Sequence, residues 1–153
     1  MMMGYQLLWL IQDRVIYIRQ FGVINRDELI RYLDESMVMR DEANARLGEG
    51  GPLVHTITDA RAVEKNELQL SDLQTMLHSL RAQRVGWSIY VNESKIVRFL
   101  ASVAHQMVGV RHSMCSSMED ALAFLNKVDE TLPPLTMAQV DALLRKQAEQ
   151  PPL

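Results

Sequence analysis

Residues 5–24 read YQLLWLIQDRVIYIRQFGVI, two apolar-rich runs separated by Gln12, Asp13 and Arg14. Runs of this length that are rich in Ile, Val, Tyr and Trp are typical of β-strands, so strands are predicted at residues 5–11 and 15–24. A link of three residues is short enough for a hairpin, which makes the two strands antiparallel neighbours. The chain is therefore predicted to open with a β-hairpin.

After the hairpin, helical patterns alternate with short apolar runs, as in an α/β domain. Asn25 followed by Glu28 predicts a helix start with a capping box, and the glycines of residues 48–51 predict its end. Short links between the later elements require parallel strands joined by right-handed crossovers. The predicted order is β-β-α-β-α-β-α-β-α. The later strands are predicted at residues 53–58, 87–91 and 110–114.

Three predicted helices carry an apolar stripe that is expected to pack against the sheet. Residues 92–94 and Ser116 are expected to cap the second and the third of them. The stripes are Leu73, Met76, Leu77 and Leu80; Ile96, Val97, Leu100, Val103, Ala104 and Met107; and Met118, Ala121, Leu122 and Leu125.

Pro133 and Pro134 end this pattern, and Thr136 with Gln139 starts one more amphipathic helix. A chain of 153 residues that is 48% hydrophobic and 23% charged fits one globular domain with a short appendage. We therefore expect an α/β domain over residues 1–132 and a Pro-linked helix with a tail over residues 133–153.

Charge and cysteine content indicate which partners the protein could bind and in which compartment it could lie. The net charge of −3 offers no basic footprint for nucleic acid. No apolar run approaches the roughly 20 residues that span a bilayer. The single cysteine, Cys115, rules out an internal disulfide and fits a reducing compartment. Neither nucleic acid nor a membrane is expected as a partner, and the expected location is the cytoplasm.

The predicted strands alternate apolar residues with polar or aromatic ones. Tyr17, Arg19, Tyr90 and Arg111 occupy the alternate positions. Alternation with a period of two residues indicates that one face of the sheet packs on helices while the other face is only partly covered. Tyr and Arg are enriched at protein interfaces. This face is predicted to form an interface in a homo-oligomer or with a partner, unless the C-terminal helix or the first residues cover it.

No motif for catalysis, a cofactor or a metal is apparent. The glycines of residues 48–51 follow a helix, which is the wrong context for a phosphate loop, and no G-x-S-x-G elbow occurs. The four histidines lack metal-ligand spacing. We therefore expect a protein that is not an enzyme and binds no metal or cofactor. A small hydrolase that uses Asp59 and a histidine as acid and base is the least favoured alternative.

The carboxyl ends of parallel strands are where open α/β sheets place ligands. Asp59 ends a predicted strand and faces a predicted loop over residues 60–70, which is long for a link between a strand and a helix. Arg61, Glu64 and Lys65 lie in this loop. Together with Asp59 they are predicted to bind a partner, although an Asp that merely forms a turn is the competing interpretation.

The hairpin, the β-α repeats and the strand VHTITD at residues 54–59, which ends in Asp59 before a loop, resemble the STAS domain. This is the family of sulfate transporters and anti-sigma factor antagonists, here in its divergent stand-alone bacterial members. The resemblance covers about residues 5–128. It implies a non-enzymatic cytosolic module that binds a protein partner, such as a regulatory kinase or an anti-sigma-like factor.

In phosphorylated members of that family, a Ser in an Asp-Ser-Ser-Gly stretch opens the helix after the loop. This chain has Leu70, Ser71 and Asp72 near that point, so only Ser71 matches approximately. We expect Ser71 to be an ordinary N-cap that is not phosphorylated. The chain also resembles the lipid-carrying CRAL-TRIO fold, so binding of a small apolar ligand remains the alternative function.

Overall fold

A computed structural model describes residues 3–72 and 84–149 of the chain, in which five strands form one mixed sheet of order β1-β2-β3-β4-β5. β1 and β2 are antiparallel, and the other neighbours are parallel. The predicted α/β fold with an N-terminal hairpin is confirmed. The helix predicted around Leu73–Leu80 lies outside the described residues. The elements are β1 Met3–Ile11, β2 Val15–Ile24, α1 Arg26–Leu47, β3 His55–Asn66, β4 Ser88–Val91, α2 Lys95–Val108, β5 His112–Cys115, α3 Met118–Val128 and α4 Met137–Glu149.

Helices cover both faces of the sheet. On the α3/α4 face, Tyr17 and Ile57 pack in one apolar cluster with residues of α3 and α4. On the α1/α2 face, Ile16 and Ile18 pack with Leu29 and other residues of α1. Helices from different parts of the chain therefore occupy both sides, and the C-terminal helix covers the face of Tyr17, which was the alternative to an interface there.

The C-terminal helix is part of this packing. Val140 of α4 is 1% exposed and belongs to the same apolar cluster as Leu125 of α3. The Asn126 side chain holds the connection by donating to the Leu135 carbonyl at 3.2 Å and accepting from its backbone N at 3.0 Å. After the two prolines the chain therefore turns back onto the core, where α4 packs in the same cluster as α3.

β3 is longer than predicted. Residues 60–66, predicted as a loop, continue the strand as far as Asn66. β2 runs for ten residues and pairs with β3 along its length, from Val15 opposite His55 to Ile24 opposite Asn66. Because a neighbouring strand supplies backbone partners, a polar stretch without strand patterning still becomes a strand.

The apolar stripe predicted for α2 is only partly a core stripe. Ala101, Ala104 and His105 are buried, whereas Ile96 and Met107 are exposed. α2 is apolar on two sides, and the small residues lie on the side that approaches the sheet. Periodicity alone therefore assigned the larger residues to the wrong side.

We expect Val140→Ala to lower the free energy of unfolding by about 2 kcal/mol, because it removes two buried methyl groups and leaves a cavity. Urea denaturation measures the change. Ala138→Ser, at an exposed position of the same helix, should alter stability by less than about 0.5 kcal/mol. Equal stability of the two variants would mean that α4 does not belong to the core.

Candidate functional site

Asp59 lies inside β3, and 3% of its surface is exposed. Its Oδ1 accepts hydrogen bonds from the backbone N and the Nε of Arg61, at 3.2 and 2.9 Å. Its Oδ2 accepts from Arg61 Nη2 at 2.9 Å and from the Tyr17 hydroxyl at 2.8 Å. Residues two apart on a strand share a face, so Arg61 reaches back to this carboxylate. We call these three side chains the Asp59 cluster.

The electrostatics of the Asp59 cluster favour the ionised carboxylate. Burial alone raises the pKa of a carboxyl group, but hydrogen bonds from Arg61 and Tyr17 outweigh it and hold the pKa of Asp59 below its usual value. Burial also raises the pKa of the Tyr17 hydroxyl. Asp59 is thus an internal anion with donors on both oxygens, and the strand that was predicted to end there continues beyond it.

Beyond Asp59, β3 extends past the end of β4. β4 pairs with β3 only between Thr56 and Asp59, whereas β2 accompanies β3 to Asn66. The Asn92 side chain donates to the Ala60 carbonyl at 3.1 Å where β4 ends. The two strands therefore run on together past β4, with β1 still beside Phe21 and Gly22. We call this extension the β2–β3 ribbon and define it as residues 21–24 and 61–66.

The β2–β3 ribbon carries three of the four residues predicted to bind a partner. Arg61, Glu64 and Lys65 are exposed on it. Lys65 Nζ lies 3.6 Å from a carboxylate oxygen of Glu67, an exposed pair that a partner can displace at little cost. The structure therefore brings these residues together at the carboxyl end of the sheet, on a strand where a loop was expected.

Two helices begin at this end of the sheet, each with a serine cap. Ser94 accepts from the backbone N of Val97 at 3.3 Å, and Ser117 accepts from that of Asp120 at 3.2 Å. The predicted cap of α3 was Ser116, one residue too early. Both hydroxyls serve the helix ends, and the ribbon adds Arg61, Glu64 and Lys65 to the charged residues in the first turns of these helices.

The four residues predicted to share a sheet face do not do so. Tyr17 is level with Ile57 on the α3/α4 face, whereas Tyr90 is level with Thr58 on the opposite face. Arg111 lies 5.5 Å from the ring centre of Trp87, and Arg19 lies at the same distance from the ring of Phe21. Because Tyr17 is buried, its side chain is not available to the predicted interface, and the homo-oligomer stays a prediction.

Ser71 stands in the first turn of a helix whose first helical residue is Leu70. The Asp72 carboxylate accepts from the backbone N of Gln69 at 2.9 Å, the contact that the third residue of a capping box makes. Gln69 therefore precedes the helix, and Ser71 is exposed at its second position. The prediction of Ser71 as the N-cap is wrong by two residues.

His55 is buried and bonded through both ring nitrogens. Nδ1 accepts from the backbone N of Trp87 at 2.9 Å, so Nε2 carries the proton and donates to Asp129 at 2.8 Å. Arg14 donates to the same carboxylate oxygen at 2.8 Å. Burial lowers the pKa of His55 although Asp129 opposes this, so the ring is neutral and ties three segments together.

A cavity of about 260 Å³ lies against the α1/α2 face of the sheet. Sequence analysis missed it, since the alternating polar residues of β3 and β4 predicted an outer surface instead. Its polar wall includes Ser88, whose hydroxyl donates to His105 Nε2 at 2.9 Å while His105 Nδ1 donates to the Ala101 carbonyl. Among its lining residues are Tyr32, Thr58, Tyr90, Leu100, Ala104 and His105.

Within residues 3–72 and 84–149, no three His, Cys, Asp or Glu side chains are grouped so that they could hold a metal ion. None of the helices in these ranges is long and apolar enough to cross a membrane. Cys115 is a buried thiol in the α3/α4 cluster, and burial raises its pKa. Packing, rather than nucleophilic chemistry, accounts for it.

Comparison with solved structures identifies the fold. An uncharacterized protein of the DUF3478 family from Shewanella loihica PV-4, with a SpoIIAA-like fold, superposes with a TM-score of 0.58 at 13% identity, over 82% of this chain and 96% of that one. The anti-sigma factor antagonist SpoIIAA in its unphosphorylated form gives a TM-score of 0.54 at 16% identity, over 82% and 99%. No family model and no curated protein matches the chain. The chain therefore has a STAS-like fold, as the sequence resemblance implied.

We expect Asp59→Ala to lower the free energy of unfolding by about 1–3 kcal/mol, because the buried Tyr17 hydroxyl and the Arg61 guanidinium lose their shared acceptor. Tyr17→Phe should cost about 1 kcal/mol, since the carboxylate keeps Arg61. Urea denaturation at neutral pH measures both variants. Glu64→Ala, on the exposed ribbon, is the control, and an equally small change in all three variants would contradict the cluster.

Burial lowers the pKa of His105 to about 4 from an ordinary value of 6.5, with Ser88, Ala101 and His112 around the ring. Between these two pH values the unfolded chain binds a proton that the folded chain does not. The free energy of unfolding should therefore fall as the pH falls through this window, by at most about 1.4 kcal/mol per unit.

Denaturation series at pH 7 and pH 5 test this dependence. His105→Gln should reduce the slope, and a residual slope of the same sign should remain from His55, whose pKa is also lowered. Identical slopes for the parent and the variant would show that His105 does not titrate with folding.

Proposed function

We propose that the protein is a non-enzymatic regulatory module that binds a partner protein through the β2–β3 ribbon. The observation that carries this proposal is the projection of Arg61, Glu64 and Lys65 beyond the end of β4, on a strand held by β2. A charged surface on a rigid element supports selective association, because charge complementarity sets partner choice and the rate of encounter.

The state of the titratable groups also supports a binding role. Asp59 accepts from Arg61 and Tyr17, and His55 and His105 have both ring nitrogens in hydrogen bonds. A general acid or base needs a position from which it can exchange a proton with substrate. The hydrolase alternative relied on Asp59, and that carboxylate is engaged inside the protein.

Likeness to an anti-sigma factor antagonist suggests the class of partner by analogy of fold. We propose a cytoplasmic regulatory protein, such as a kinase or an anti-sigma-like factor. The module is proposed to act without phosphorylation at Ser71. A phosphate there would stand beside the Asp72 carboxylate, which already occupies the amide of Gln69, so like charges would oppose it.

Intact-mass spectra of the protein purified from its native host test the phosphorylation state. We expect the unmodified mass, because the Asp72 carboxylate would repel a phosphate on Ser71. An adduct of about 80 Da that maps to Ser71 would overturn this part of the proposal.

Exchanging the charges of the ribbon tests the binding surface. We expect the double variant Glu64→Lys/Lys65→Glu to weaken the partner complex about fivefold or more, which corresponds to about 1 kcal/mol, at unchanged net charge. The partner is first recovered from an extract of the native host on the immobilised protein and identified by mass spectrometry. Its dissociation constant is then measured with purified components.

The matched control is Lys127→Glu/Glu130→Lys, which exchanges two exposed charges at the other end of α3. It should leave the affinity unchanged. Equal affinity of all three proteins would remove the ribbon from the interface. Turnover of a substrate by the purified protein would contradict the non-enzymatic proposal itself.

Binding of a small apolar ligand is a second candidate function, favoured by the cavity of about 260 Å³. Its size is close to the lower end of known ligand pockets, and its hydroxyl groups would orient the polar end of a ligand. Extraction of the native protein with organic solvent, followed by mass spectrometry, should then release one apolar molecule per chain.

A further inference from the structure

The outer side of α2 exposes a row of large apolar side chains. Ile96, Phe99, Leu100 and Met107 are 73%, 67%, 49% and 56% exposed. The last three follow Ile96 by three, four and eleven residues, which places all four along one side of the helix. A contiguous apolar surface of this kind on a small protein marks a binding site, whereas scattered exposed residues do not.

The helix that carries this row has no acidic residue. No Asp or Glu occurs between Glu93 and Glu119, although the chain has nineteen acidic residues. Arg98 is half-buried on the other side of α2, where its Nη1 donates to the carbonyls of Asn92 and Glu93 at 2.7 and 3.0 Å. The exposed Lys95 is therefore the cation that α2 presents at the amino end of the apolar row.

This lysine opposes the local preference of the helix. The amino end of a helix dipole favours anions, and the first turns of α1 and α3 contain Asp27 with Glu28 and Glu119 with Asp120. α2 has no acidic residue in its first turn. A sequence that departs from the usual charge preference of a helix end, beside an exposed apolar surface, indicates that this surface serves binding.

The cavity on the α1/α2 face adjoins this row. Leu100 belongs to both, since it lines the cavity and is half exposed, and Val97 lines the cavity beside it. An apolar cavity of about 150 Å³ holds benzene, so a cavity of about 260 Å³ has room for a large apolar side chain. At such a surface, one side chain of a partner can enter the cavity while its other side chains contact the apolar row. Buried anchor residues of this kind supply most of the binding energy of an interface.

We propose that Ile96, Phe99, Leu100, Met107 and the adjoining cavity, together the α2 dock, bind an acidic amphipathic helix of a partner protein. One aromatic or aliphatic side chain of that helix enters the cavity, and its acidic residues face Lys95. This inference rests on the proposed function, namely that the chain binds a protein, and it assigns the chemistry of the partner segment.

Three other occupants fit the surface less well. A second copy that docked through the same face would bring the same lysine and, between Glu93 and Glu119, no carboxylate to meet it. A small ligand in the cavity would leave Ile96 and Phe99 in water. A bilayer surface would cover the row but is flat, and would leave the cavity beside Leu100 without an anchor residue.

The test is selection from a displayed library of random amphipathic helical peptides on the immobilised full chain, with counter-selection on Phe99→Asp. We expect enriched peptides to combine apolar residues at helical spacing with acidic flanks. The affinity of synthetic copies, measured by fluorescence anisotropy, should fall at least tenfold for Phe99→Asp and severalfold for Lys95→Glu. Replacing the largest apolar residue of the peptide by Ala should lower the affinity by a similar factor.

The matched control is Val38→Asp, at an apolar position of α1 that is 57% exposed. It should bind the peptides like the parent. The inference is overturned if no peptide is enriched, if enriched peptides lack acidic residues, or if Phe99→Asp binds them equally well. It is also overturned if Phe99→Asp abolishes a homodimer seen by light scattering or the binding to vesicles that contain phosphatidylglycerol.

The native partner separates this inference from the proposed function. A partner that binds Phe99→Asp like the parent, but binds the ribbon variant weakly, would leave the proposed function standing and remove the α2 dock. Failure to recover any partner, with peptides still bound at α2, would count against the regulatory module and not against the dock.

Discussion

The parallel pairing of β2 with β3 is the constraint on which the rest of the structure depends. The connection between these two strands contains the whole of α1. Their pairing sets the register in which Tyr17 lies opposite Ile57. That register brings the Tyr17 hydroxyl to Asp59, and it carries β3 on to Asn66 after β4 has ended. The core on one face of the sheet and the charged ribbon at its end are two results of one strand alignment.

Features determined by neighbouring residues could be predicted from the sequence. The hairpin follows from its short link, and the side chains of Asn25 and Thr136 cap their helices through contacts three residues away. The strand nature of residues 60–66 could not be predicted, because it depends on β2 as a template and not on their own pattern. Nor could the burial of Tyr17, since alternation separates two faces without indicating which helices cover each one.

The candidate site shows the same division. Asp59 was recognised from the end of a strand pattern, but one of its partners, Tyr17, lies 42 residues earlier and only the fold brings the two together. Periodicity placed Ile96, Ala104 and Met107 in one stripe of α2. It could not show that Ala104 packs inward while Ile96 and Met107 meet solvent, because the helix is apolar on more than one side.

Asp129 forms hydrogen bonds with residues that are synthesised much earlier during translation. Its carboxylate bonds Arg14, which is 115 residues earlier, and His55, which is 74 residues earlier. During synthesis, the hairpin and the start of β3 leave the ribosome long before their common acceptor. Contacts of such high sequence separation close late, since the loop entropy must be overcome first. The domain can therefore complete its fold only when translation has passed α3, and until then His55 lacks the acceptor for its Nε2 proton.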